Sequence, residues 1–208
     1  MPGAAAVAIW FDLDSKIKDE FHDWHVHEHM PERLAIPGFL RGSRWVSVDG
    51  RNAYFVLYEL QDLDVLTAGP YLAHLNNPTP WSRKMMPHHQ NMVRSLCRVQ
   101  ARFGTGLGQA MLTIRFSGVD EKLVPWLSGL PARKGLVAAQ LLRDAGSVQG
   151  GPTTEQEIRG GDQSADGIVL VNGYDADAVA LAAQRAAPGS IARAYGLAYT
   201  LTPGEISR

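Results

Sequence analysis

The chain has 208 residues, with 20 Lys+Arg against 21 Asp+Glu, 45% hydrophobic residues and 20% charged ones. That ordinary globular composition excludes a disordered chain, and a net charge of −1 gives no electrostatic footprint for nucleic acid or an anionic membrane. No apolar run approaches the ~18 residues of a transmembrane helix. The single cysteine, Cys97, excludes an internal disulfide framework and suits a reducing, cytoplasmic setting.

The first apolar stretch has no basic residues ahead of it and soon meets Asp12 and Asp14, so it reads as a strand over 5–13 and not as a signal peptide. A helix over 16–30 follows, with a new turn starting near Pro31. Strands over 39–48 and 53–60 meet at Asp49-Gly50-Arg51-Asn52, a hairpin signal. Residues 63–75 read as helix, 78–90 as irregular or partly helical, and 92–103 as a closing strand. Gly104, Gly106 and Gly108 then mark a joint at 105–109.

Beyond the joint the same order recurs. Strand 110–116, helix 120–130, strands 136–143 and 168–172, an Ala-rich helix 177–187 and strand 191–202 repeat it, and Gly38 and Gly135 each open a second strand. The repeat is one of pattern, not identity. Two βαββαβ units follow, residues 1–104 and 110–208, each a ferredoxin-like antiparallel sheet with two helices on one face. The bare sheet faces would pack on one another, an α+β internal pseudo-dimer. The stretch 145–167 holds six glycines and almost nothing apolar. It reads as a mobile loop, either a lid or a tolerated surface insertion.

All seven histidines and four of the five tryptophans fall in the first half. The densest run is Phe21-His-Asp-Trp-His-Val-His-Glu-His-Met-Pro-Glu-Arg33. On a regular helical wheel counted from Ile17, Phe21, Trp24 and Pro31 form one apolar stripe with Glu28 at about 20°, in its middle. A carboxylate there must be paired or protonated. Glu28 is either salt-bridged to an arginine such as Arg44, or it lines a helix–sheet cavity with a raised pKa, ready for proton transfer. His25 falls at the stripe edge, about 80°, while His29 and His22 fall at about 120° and 140°. Together they form a second face that reads as solvated polar surface. His29 sits where Pro31 bends the chain, so its ring could turn inward.

No metal is expected on that face. Structural zinc wants four ligands, usually with thiolates, and only Glu32 lies near enough to orient the rings. Gly104-Thr-Gly-Leu-Gly108 is not followed by a helix and fails as a dinucleotide loop. No flavin, haem or nicotinamide motif is visible, so no cofactor is assigned.

The run Trp24-His-Val-His-Glu-His-Met-Pro-Glu-Arg-Leu-Ala-Ile-Pro-Gly-Phe39 resembles the signature of EthD-like and related dimeric α/β-barrel proteins. Pro78-Thr-Pro-Trp81 and the basic-Met-Met-Pro-His run after it are similar to the tail of that group's second helix. The likeness covers 5–103; in the second half position 126, aligned with His29, is tryptophan. The resemblance implies two tandem ferredoxin-like units closed as a dimeric α/β barrel, with a pocket between sheet and helices. It implies function only loosely, since such proteins include cofactor-free monooxygenases, lactone isomerases, dehydratases and stress-responsive proteins.

Two readings stand. The first is a proton-transfer enzyme acting on an apolar aromatic or lactone-like molecule, with Glu28, His29 and His25 as catalytic candidates. Trp24, Arg44, Trp45, Tyr58, Trp81 and His88 are its candidate substrate contacts. Strand alternation from Phe39 places 41, 43 and 45 on one face and 40, 42, 44 and 46 on the other, so Arg44 and Trp45 cannot line the same cavity. The second reading is a non-catalytic ligand-binding or interaction module. Both expect a small-molecule partner, no nucleic acid and no membrane, and both leave a homodimer open.

Overall fold

The computed structural model describes residues 3–118, 122–146 and 152–206. Eight strands close one barrel in the order β1-β3-β2-β8-β5-β7-β6-β4. They are β1 (Ala5–Leu13), β2 (Phe39–Ser47), β3 (Ala53–Leu60), β4 (His89–Gly104), β5 (Ala110–Phe116), β6 (Leu136–Asp144), β7 (Gly167–Gly173) and β8 (Ile191–Leu201). Each half contributes an antiparallel four-stranded sheet, β4-β1-β3-β2 and β8-β5-β7-β6, and the halves are zipped by β2–β8 and β4–β6 pairing. The fold is the expected α+β pair of ferredoxin-like units packed as an intramolecular dimeric α/β barrel. Closure leaves no free sheet edge.

Alternation along the strands splits the apolar residues between two layers. Ala6, Ala8, Trp10, Trp45, Phe55, Leu57, Met111, Leu170 and Tyr195 fill the barrel interior. Trp10 stacks on Phe55 with ring centroids 4.9 Å apart and donates to Thr113 Oγ1 at 3.1 Å. The opposite faces carry Val7, Phe11, Tyr54, Val56 and Tyr58 in the first half, and Leu112, Ile114, Leu141 and Val171 in the second. Gly38 and Gly135 hold φ of +93° and +91° at equivalent corners, where a Cβ would lie 2.3 Å from Val65 and 2.5 Å from Ala178. Only glycine meets both demands.

The helices are α1 (Lys18–Trp24), α2 (Met30–Leu34), α3 (Gly69–Asn76), α4 (Pro80–Met85), α5 (Leu123–Ser128), α6 (Thr154–Arg159) and α7 (Ala176–Leu181). The single helix expected over 16–30 is instead α1, a π-helical turn over His25–His29, and α2. The Met30 N–H reaches back five residues to the His25 carbonyl. Pro31 supplies the reason, because a regular helix would aim its ring at the His27 carbonyl and leave that oxygen without a donor.

The strand alternation counted from Phe39 also needs correcting. A register shift between Phe39 and Arg41 puts Phe39 on the helix-facing side, the side that Gly42 also presents to Met30 and Leu34. The helix expected from residue 120 begins, within the described residues, at Leu123; 119–121 lie outside them.

Of the loop expected over 145–167, residues 147–151 lie outside the described residues. The remainder runs along the first half. Thr153 and Gln156 form a capping box that starts α6, which packs against α3 and the Met86–His88 turn. The Arg94 N–H donates to the Gln163 carbonyl at 2.7 Å, and the Gln163 N–H to the Met92 carbonyl at 3.1 Å. Thus a segment of the second half covers the helix–sheet layer of the first. Among the described residues, no helix is long and apolar enough to cross a membrane.

Candidate functional site

Between the first half's sheet and its helices lies a cavity of about 50 Å³. Its apolar wall comes from Val7, Ile9, Phe11, Trp24, Phe39, Val56, Leu75, Met86 and Met92, and its polar groups are His25, His29, Arg33, Tyr58, Tyr71, His89, Arg94, Glu155 and Arg159. A second, outer cleft of about 670 Å³ shares Tyr71, Leu75 and Arg94 with it and is further lined by Leu66, Leu72, Asp144 and Gln156.

The π-turn decides which side chains of the first helical segment reach this cavity. One extra residue in a turn sets back everything after it by about 100° on the wheel. That carries His29 from about 120° to about 20°, the middle of the buried stripe, and swings Glu28 off it. His25 is 2% exposed, and its ring lies 5.7 Å from that of His29. His29 stacks at 4.4 Å on Trp24. The solvated histidine face expected from a regular helix is therefore corrected: His25 and His29 turn inward. His22 stands apart, with Nε2 3.0 Å from Tyr54 Oη.

Neither cavity imidazole makes a hydrogen bond among the described residues, and Nδ1 of each is buried without a partner. Burial drives the pKa of both well below the usual histidine value. Arg44 adds to the effect at His25 and Arg33 at His29. His89, whose Nδ1 lies 3.1 Å from the Met86 carbonyl, is pushed down to about 4, chiefly by burial and then by Arg159. All three rings are neutral at pH 7. The Tyr58 hydroxyl is also buried and unbonded, and burial raises its pKa, so it stays protonated.

Glu28 meets neither arrangement expected of it. Its Oε1 accepts from Trp24 Nε1 at 3.1 Å, Thr79 Oγ1 at 2.6 Å and Ser82 Oγ at 3.3 Å, which ties α1 to the start of α4. It is absent from the cavity wall. Arg44 is buried against the Phe21 and Tyr199 rings, at 5.8 Å from each, with Nε and Nη1 unbonded. Trp45 points into the barrel interior and donates to Ser43. Trp81 donates to Glu20 at 3.2 Å. His88 is off the wall, while its neighbour His89 is on it. Of the residues singled out in the sequence, the cavity therefore brings together His25, His29, Trp24 and Tyr58.

Arg33, Tyr71, His89, Arg94, Glu155 and Arg159 were not singled out. Arg33 pairs with Glu155, both buried, and Arg159 bonds Glu155 at 3.5 Å and Asp162 at 3.0 Å. The Thr153-x-x-Gln156 capping box signals that helix locally, but nothing local says which surface it covers. Among the described residues no three of His, Cys, Asp and Glu converge in metal-binding geometry.

No family model matches the chain, and no curated protein matches it in sequence. Solved structures do match its fold. An anthrone oxidase-like protein superposes with a TM-score of 0.64 at 12% identity, over 97% of this chain and 94% of that one. A proposed monooxygenase from Fusobacterium nucleatum gives 0.56 at 7% identity, over 97% and 96% of the two chains. One from Lactobacillus acidophilus gives 0.55 at 5%, over 96% and 97%. The fold is that of the dimeric α/β-barrel proteins, made here by a single chain. At these identities the likeness carries the architecture alone.

Proposed function

We propose that the chain is a small-molecule enzyme in which His25 or His29 abstracts a proton from an enolisable aromatic or lactone-like substrate. One observation carries this reading: two neutral imidazoles and a protonated tyrosyl hydroxyl line one cavity with their hydrogen-bonding capacity unspent. A buried polar group left unbonded costs about 1–3 kcal/mol, and such groups in a cleft are the usual mark of a site awaiting a ligand. A neutral imidazole presents one lone pair and can take the proton. The Tyr58 hydroxyl can donate to the enolate oxygen that forms. Such base catalysis contributes ~10²–10⁴-fold.

Size sets how a substrate would lie. The inner cavity holds about three or four waters, while the outer cleft falls in the ~300–1,000 Å³ range of ligand sites. A substrate of two or three rings would rest in the cleft, with its reactive edge inserted past Tyr71. The anthrone oxidase-like fold relative suggests a methylene flanked by aromatic rings. Its carbanion can react with dioxygen, CH₂ + O₂ giving C=O + H₂O, with no further cofactor.

The small inner volume favours the second reading, a non-catalytic ligand-binding module. Anaerobic incubation of anthrone, 2-tetralone and 2-coumaranone in D₂O separates the two. The enzyme reading expects accelerated deuterium incorporation, abolished in the His25→Gln/His29→Gln double variant. Binding without faster exchange for all three would overturn it.

A further inference from the structure

Four arginines stand in or beside the first half's helix–sheet layer: Arg33, Arg44, Arg94 and Arg159. Arg33 and Arg159 spend their charge on Glu155 and Asp162. Arg44 is off the cavity wall. Arg94, on β4, is different. Among the described residues it has no carboxylate within ion-pair distance, and its Nη2 donates only to the Tyr71 hydroxyl, at 2.6 Å. It lines both the inner cavity and the outer cleft, at the passage between them.

We propose that Arg94 is the anchor for an anionic group on the substrate, so that the ligand is an aromatic carboxylate or phenolate. This rests on the proton-transfer reading for the reacting end and adds the chemistry of the other end. A guanidinium offers planar, paired N–H donors that match a carboxylate in a bidentate fork, and a partly buried cation is stabilised by such a partner. The acidic residues of the outer cleft do not cancel it. Asp144 accepts the Leu96 N–H at 3.1 Å, and Asp162 is held by Arg159. Tyr71 keeps the side chain turned toward the passage while no ligand is there.

The geometry also orders the substrate. With its anion on Arg94, the aromatic frame runs inward along Tyr71 and Leu75 toward the two histidines. Arg94 thereby selects which end enters.

The test is binding, so it does not depend on turnover. Affinities of 2-naphthoate and its neutral amide, 2-naphthamide, are measured through intrinsic tryptophan fluorescence, to which Trp24 contributes. The wild type is expected to bind the acid more tightly than the amide. Arg94→Gln should weaken the acid about tenfold or more and leave the amide within about twofold. Tyr71→Phe, which removes the hydroxyl but keeps the cation, should retain the preference for the acid. His25→Gln should leave naphthoate affinity within about twofold, so a failed base assignment stays distinguishable from a failed anchor. Equal binding of acid and amide by the wild type, equal weakening of both by Arg94→Gln, or no binding of naphthoate would each overturn the proposal.

Discussion

The amide of Met30 bonds the carbonyl of His25, five residues back, and this one widened turn places both His25 and His29 on the cavity wall. Restoring a regular helix should undo it. Deleting exposed His27 removes the extra residue and carries the His29 ring about 100° round the helix. The variant is expected to fold with the same circular dichroism and to lose proton-exchange activity by about 10²-fold or more. Full activity would show that the π-turn does not position the base.

The buried imidazoles make stability depend on pH in a fixed direction. Each is neutral in the fold, with its pKa lowered by burial, while in the unfolded chain it titrates near 6.5. Below pH 6.5 the unfolded state binds more protons, so stability is complete above that value and falls as the pH drops. For His89, with a folded pKa of about 4, the loss between pH 6.5 and 4 is on the order of 3 kcal/mol. Urea denaturation at pH 7 and pH 5 checks this. His89→Gln should flatten the difference, and an unchanged slope would refute the assignment.

Glu155 is the carboxylate on which both Arg33 and Arg159 converge. Glu155→Gln leaves a buried guanidinium without its counter-charge and should cost about 3–5 kcal/mol. Exposed Glu157→Gln, on the same helix, should stay within about 0.5 kcal/mol of wild type. Chemical denaturation of the two side by side separates the roles. Equal stabilities would mean that α6 is not clamped through Arg33.

Glu28 joins α1 to α4 through Trp24, Thr79 and Ser82. Glu28→Ala should destabilise by about 1–3 kcal/mol, because it strips a buried indole N–H and two hydroxyls of a shared acceptor. Glu28→Gln, which keeps an acceptor oxygen, should retain most of the exchange activity. Its abolition, with the melting temperature intact, would return Glu28 to the chemistry.

The fold could be read from the sequence because strand alternation, paired turn glycines and the repeated element order all point the same way. Gly38 and Gly135 are the clearest instance, identical in role despite little shared sequence around them. The site could be read only in part. Trp24, His25, His29 and Tyr58 stand out by type and position, but the wheel that placed Glu28 in the core assumes a regular helix. Pro31, the residue that breaks that assumption, was seen as a bend and not as an inserted residue. Arg33, Arg94, Glu155 and Arg159 were missed for a different reason. Their roles depend on an insertion from the second half folding across the first, a long-range contact that no local pattern encodes.

The account's central claim is that His25 and His29 are neutral, unbonded imidazoles ready to accept a proton. Nitrogen-15 NMR titration of the histidine rings, assigned through His25→Gln and His29→Gln, tests it most directly. Both rings are expected to remain neutral from pH 8 to below pH 6, with resonances that move when an aromatic ligand fills the cavity. A ring that titrates at or above pH 6.5, or that does not respond to ligand, would contradict it.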